Sequence, residues 1–233
     1  MLNNLLGPVW AICPAHVSQS LELFSAAIKA GPVDEAARDG VPVQKHGSLA
    51  IVEMKGPMIK RAGSWMHYGI AGTRETGEAL KAAAADKDVE SILWVVDSPG
   101  GSVDGLDELA TTAKEVGRIK PVIVQVDGLL ASAALYVASA ATAIYANRRD
   151  LIGSIGTRIM LHDYSEMFKN NGIKAIPVDT GEHKSAGAFG TKITDAQIAE
   201  FQRIADGYFN DFKNELVSGR ELPLEVINGI ADG

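Results

Sequence analysis

The chain has 233 residues, 46% of them apolar and only 6% aromatic, which suits one substantial α/β domain built from small aliphatics and excludes a disordered chain. Its formal charge of −7, with no run of Lys or Arg, argues against nucleic acid as a partner. A single cysteine, Cys13, excludes an intramolecular disulfide and a cysteine-built zinc site, so no metal or cofactor is expected. Cys13 itself reads as a small buried hydrophobe. No stretch of about 18 uninterrupted apolar residues is present, so no membrane span is expected. The apolar start, Met1 to Ile12, lacks a basic leader and is broken by Gly7 and Pro8, which points to a cytoplasmic protein.

In chain order, Ser18 to Lys29 has the spacing of an amphipathic helix, with Leu21, Leu23, Phe24, Ala27 and Ile28 giving an apolar face. Residues 31–46 are polar, with two prolines and two glycines, and read as a linker. Residues 1–46 are thus an arm and linker, and the main domain spans 47–233. Leu49 to Met58 predicts a strand and a Gly56-Pro57 turn, residues 60–72 an irregular loop, and Thr73 to Ala85 a helix capped by Thr73. Ser91 to Asp97 is too apolar to alternate and predicts a buried strand. Ser98-Pro99-Gly100-Gly101 then reads as a tight turn. A helix over 104–119 and a strand over 121–127 follow. Residues 130–142 are small and apolar and predict a fully buried helix. Further strands are expected at 143–146, 157–162 and 174–178. Helices are expected at 164–171, at 195–218 with Thr194 as cap, and at 224–230. Strands alternating with crossover-length helices imply an α/β fold with mainly parallel pairing.

Two segments could carry chemistry. Asp97-Ser-Pro-Gly-Gly-Ser102 closes a buried strand, where α/β proteins bind ligands, and its glycines leave backbone N–H groups open to an anion or oxyanion. The alternative is an ordinary strand-to-helix turn. Ser132 lies at the start of the apolar helix, where the helix dipole favours negative charge. From the residues alone it reads first as a small packing residue bonded back to a carbonyl, and Ser139 reads only so. A serine nucleophile needs a base, and no Gly-x-Ser-x-Gly elbow or Ser-x-x-Lys pair is present. Lys184, in Gly181-Glu-His-Lys-Ser-Ala-Gly187, could serve if burial or a neighbouring positive group disfavours its charge, and reads otherwise as a solvated surface lysine.

Taken in order, Ser-Pro-Gly-Gly (98–101), Gly-Leu-Leu-Ala-Ser-Ala-Ala (128–134), Gly-Ser-Ile-Gly (153–156) and the segment around Lys184 resemble the S49 peptidases. These are the signal peptide peptidase A family, which includes phage capsid maturation proteases. The resemblance covers about residues 48–230. It implies a ClpP/crotonase-like fold of ββα units. It also implies Ser132 as nucleophile, Lys184 as general base, Ser154 as the residue orienting the lysine, and Gly101 with Ala133 as the oxyanion hole. The implied partners are an extended polypeptide, further copies of the chain that share active sites, and capsid or scaffold proteins, in a bacterial cytosol or a phage prohead. The family continues past Ile230-Ala-Asp-Gly233 through another strand and helix, so the C-terminal end is expected to be truncated or processed. A triad of Ser132, His162 and an aspartate is a rival site. Signal-peptide-peptidase-like degradation of peptides, a crotonase-like acyl-CoA enzyme and a non-catalytic assembly protein are rival functions.

Overall fold

The computed structural model describes residues 9–31 and 40–232. Residues 1–8, 32–39 and 233, which belong to the arm, the linker and the C-terminal end read from the sequence, lie outside the described residues.

The strands are β1 (Val9–Ile12), β2 (Val43–His46), β3 (Leu49–Lys55), β4 (Met58–Ile59), β5 (Ala71–Gly72), β6 (Ser91–Ser98), β7 (Gly100–Ser102), β8 (Val122–Ala131), β9 (Ala143–Tyr145), β10 (Leu151–Gly153) and β11 (Arg158–Ile159). The α-helices are α1 (Val17–Ala30), α2 (Thr73–Ala85), α3 (Leu106–Ile119), α4 (Ala133–Ala138), α5 (Ser165–Asn170), α6 (Asp195–Arg220) and α7 (Leu224–Ile230).

A six-stranded sheet runs β10-β8-β6-β3-β2, with β9 also paired to β8. Its ladders are parallel except for the β2–β3 hairpin. The long β8 serves two neighbours, β9 along Ile123–Gln125 and β10 along Leu129–Ala131. A second, five-stranded sheet runs β11-β1-β7-β4-β5. The chain repeats one unit: a long strand in the first sheet, a short strand in the second, then a helix. β3–β4–β5–α2 and β6–β7–α3 are two such units, and the expected ββα architecture is observed.

Burial explains why these segments hold. β6 does alternate: Ile92, Trp94 and Val96 are wholly enclosed, while Leu93 and Val95 are only half-buried. Only one face of the sheet is fully covered there, by α2 and α3, which contribute Leu80, Ala83, Leu109, Ala113 and Val116 to the same core. Trp94 is the largest enclosed side chain, and its truncation to alanine would cost about 3–5 kcal/mol. α6 begins with a reciprocal capping box between Thr194 and Gln197, as the sequence suggests. Its far end packs Phe212 and Leu216 into the core against α4.

Several local expectations differ from the structure. Gly100–Ser102 is a strand of the second sheet rather than a tight turn, because its backbone is paired on both sides, by β1 and β4. The buried helix expected over 130–142 is helical only over Ala133–Ala138, because Leu130 and Ala131 complete β8. Residues 174–178 form no strand. Thr73 lies inside its helix, and its hydroxyl donates to the Lys60 carbonyl rather than capping. Part of the polar segment read as linker supplies β2.

Candidate active site

The carboxyl ends of β6 and β8 converge, where parallel sheets present ligand sites. β8 ends at Ala131 and α4 begins at Ala133, so Ser132 alone makes the turn from strand to helix. Its backbone takes φ 55° and ψ −121°, a conformation that a side chain rarely adopts. A strained strand-to-helix turn carries the nucleophile in α/β hydrolases, within a Gly-x-Ser-x-Gly sequence that is absent here. The Ser132 N–H donates to the Gly153 carbonyl at 2.9 Å and the Tyr136 N–H to the Ser132 carbonyl at 3.0 Å, pinning both sides of the elbow. Ser132 is 1% exposed, and among the described residues its Oγ has no hydrogen-bond partner. A buried hydroxyl left unsatisfied costs about 1–3 kcal/mol, a cost that marks functional positions.

The glycine strand lies against this elbow. Ser98 holds the approach, donating to the Gly56 carbonyl at 2.7 Å and accepting the Gly100 N–H at 3.2 Å. Gly100 has φ 92°, and a Cβ there would stand 2.8 Å from the Ala133 nitrogen and 3.0 Å from the Ala131 carbonyl oxygen. Only glycine therefore lets strand and elbow touch. At Gly101 a Cβ would strike the Met58 backbone at 2.0 Å. The Gly100 N–H is taken by Ser98, Gly101 is paired with Ala11 of β1 and Met58 of β4, and the Ala133 N–H lies at the open start of α4. Behind the elbow, the Tyr136 hydroxyl donates to Asp107 Oδ1 at 2.5 Å and its ring meets Phe212 edge-on at 5.6 Å. Burial first, then the Asp107 carboxylate, pushes the Tyr136 phenol well above its usual range, so it stays a neutral donor. Beside the turn, burial and then Asp127 push the Asp97 carboxyl above its usual value, against the opposing pull of Lys55.

The sequence-derived candidates are partly brought together. Ala131 pairs with Gly153 across β8 and β10, so Ser132 and Ser154 follow one another past the end of the same ladder. Ser154 also has a positive φ, 53°. Lys184 is exposed on the turn at 181–187, and since Ser132 Oγ has no partner, no hydrogen bond joins Lys184 to it within one chain. The same holds for His162, which is exposed with its ring near Tyr164 at 5.9 Å. Ser139 bonds back to the Tyr136 carbonyl at 2.6 Å and is a packing residue. Cys13 is half-buried rather than enclosed. Sequence reasoning missed the Gly153 carbonyl as the anchor of Ser132 and missed Tyr136 with Asp107. A tyrosine one helical turn after a small-residue elbow was the available signal. Among the described residues no cluster of His, Cys, Asp or Glu could hold a metal, and no helix is long and apolar enough to cross a membrane.

Two sheets with mainly parallel pairing, covered by helices and with a strained serine between a parallel strand and a buried helix, define an α/β protein. It belongs to peptidase family S49, which matches residues 114–233. A protease candidate of Methanocaldococcus jannaschii is 34% identical over 148 residues, covering 64% of this chain and 48% of its own. Capsid assembly protease C of Escherichia phage lambda is 28% identical over 195 residues, covering 83% of this chain and 44% of its own. Protease 4 of Haemophilus influenzae is 29% identical over 187 residues, covering 79% of this chain and 30% of its own. The chain spans about half the length of the curated relatives it matches first. Among solved structures, an enoyl-CoA hydratase/isomerase family member aligns with a TM-score of 0.39 at 18% identity, covering 58% of this chain and 54% of its own. The α/β assignment rests on the sheets themselves.

Proposed function

We propose that the chain is a serine endopeptidase with Ser132 as nucleophile and Lys184 as general base. The observation that carries this reading is the strained, buried and unpartnered Ser132 beside the glycine strand. Neutral Lys184 takes the Ser132 hydroxyl proton as Oγ attacks a peptide carbonyl. The Gly101 and Ala133 N–H groups receive the developing oxyanion. Lys184 passes its proton to the leaving amine as the C–N bond breaks. A water, deprotonated in the same way, then releases the carboxylate product and restores Ser132. Ser154 orients the lysine amine.

A lysine acts as a base where burial or a neighbouring positive group disfavours its charge. Lys184 is exposed in the single chain, so it reaches that state, and Ser132, from a neighbouring copy. Exposed Leu151, Ile152, Met160, Ile176, Val178 and Phe189 support such an assembly, because apolar surface on this scale marks contact with another chain. The substrate is an extended polypeptide, and the names of two relatives, capsid assembly protease C and head-tail preconnector protein, favour a phage head protein as its source. The prohead, or the cytosol of its host, is the matching location.

Ser132→Ala and Lys184→Ala should each lower hydrolysis of an unstructured peptide by at least about 10³-fold, with the oligomer intact by light scattering. An acylating serine probe should label the parent and not Ser132→Ala. Full activity in Lys184→Ala would overturn the dyad, and the same test on His162 decides the triad.

A further inference from the structure

β1 belongs to none of the ββα units. It is inserted between β7 and β11, antiparallel to both: Trp10, Ala11 and Ile12 pair with Ser102, Gly101 and Gly100 on one edge, and Val9 and Trp10 with Ile159 and Arg158 on the other. β7 is the glycine strand of the candidate site. A slot between two strand edges is what an extended peptide needs in order to gain backbone hydrogen bonds on both sides.

The fit of β1 is that of a peptide in place. Ala11 lies opposite Gly101. A Cβ on Gly100 would meet the Ala11 carbonyl oxygen at 2.2 Å and the Ala133 nitrogen at 2.8 Å, so that carbonyl and the amide at the head of α4 crowd the same small space. The Cys13 N–H donates to the Pro99 carbonyl at 2.7 Å and extends the pairing past the strand's end. Ala11 is 2% exposed and faces a cavity of about 40 Å³ walled by Val103, Leu106, Tyr136 and Phe212, with Asp107 and Asp211 also at its margin. Ser132, next in the chain to both Ala131 and Ala133, is itself buried.

We propose that β1 is a built-in occupant of the peptide groove, which must leave before a polypeptide can pair with Gly100–Ser102. The inference rests on the peptidase reading. The strand can leave without unfolding the domain, because α1 is anchored separately: Phe24 and Ala27 pack with Ile59, Ala62 and Ile70 in a cluster apart from the main core. The turn at Cys13–His16 is the hinge between strand and anchor. So tethered, β1 competes at an effective concentration on the order of millimolar, and only a substrate that binds well or is held nearby displaces it. The Ala11 methyl stands where a substrate would place a small aliphatic side chain.

Two full-length variants test this. Ala11→Asp puts a third carboxylate into the small cavity beside Asp107 and Asp211 and should expel β1 by crowding and like-charge repulsion. Cys13→Pro removes the N–H that bonds Pro99, at a φ of −57° that proline accepts. Both variants should lower KM for an unstructured peptide about tenfold with kcat unchanged, and both should speed amide exchange across residues 9–12 and 100–102. A fluorescein-labelled peptide of residues 9–13 should bind both variants about tenfold more tightly than the parent. Unchanged KM in both variants overturns the proposal, even if exchange rises, because the strand would then leave without guarding the groove. If no form hydrolyses any peptide, the peptidase reading fails. The labelled peptide then decides for β1: tighter binding to the variants upholds it as the groove's occupant, and equal binding overturns it.

Discussion

Ser132 pays twice for its position, in a backbone conformation that favours glycine and in a buried hydroxyl without a partner among the described residues. Removing the hydroxyl alone should therefore stabilise the fold: Ser132→Ala is expected to gain about 1 kcal/mol, the lower end of the penalty for an unsatisfied buried group. Ser132→Gly also releases the strain, about 1–3 kcal/mol, against a cost of about 0.5–1 kcal/mol for the freer unfolded chain. Urea unfolding should rank glycine above alanine above serine, while both variants lose hydrolysis. A parent more stable than Ser132→Ala would mean that the hydroxyl is satisfied after all. None of this was legible in the sequence, where Ser132 is a small residue in an apolar run, because dihedral strain and an absent partner are properties of the folded backbone. Only the order of Gly101, Ser132, Ser154 and Lys184 singled it out. The structure sets the first three at one end of the sheets and leaves the fourth exposed.

The long elements were readable because their signals are local. α2 and α7 fall at the bounds read from the sequence, and Thr194, read there as a cap, marks the start of α6. The short strands were not readable, because β1, β7 and β10 exist only through partners far away in the chain and carry too few residues to show a pattern. α6 supplies a case where local preference and packing give opposite answers. By helix propensity alone, Gly219→Ala should stabilise the helix by about 1 kcal/mol. A Cβ at Gly219, however, would lie 2.1 Å from the Ser139 carbonyl oxygen and 2.8 Å from its carbon, backbone atoms that cannot swing aside. Packing should win, with a loss of about 1–3 kcal/mol. Because Ser139 caps α4, the helix that Ser132 opens, kcat should fall as well. Gly207→Ala in the same helix meets nothing within 4 Å and should stabilise by up to about 1 kcal/mol. Thermal unfolding of the pair separates the two effects, and equal shifts would refute the packing argument.

At the scale of the whole molecule, the nucleophile is enclosed and the proposed base is on the surface. If the base acts within its own chain, the turn at 181–187 must fold inward and bury a lysine with nothing from outside to cover it. If it acts on a neighbour, the lysine is desolvated by the contact that delivers it, and the exposed apolar residues of 151–152 and 173–178 are covered in the same event. The two arrangements differ in a mixing experiment. Ser132→Ala chains keep the lysine and Lys184→Ala chains keep the serine, and each alone is inactive. With sites shared between neighbours around a head-to-tail assembly, an equimolar mixture assembled together regains about a quarter of parental activity, since one ordered pairing in four unites an intact serine with an intact lysine. With both residues drawn from one chain, every site in the mixture stays defective and activity does not return. Dilution separates the arrangements further, because a shared site loses specific activity as the assembly dissociates, whereas a site contained in one chain does not.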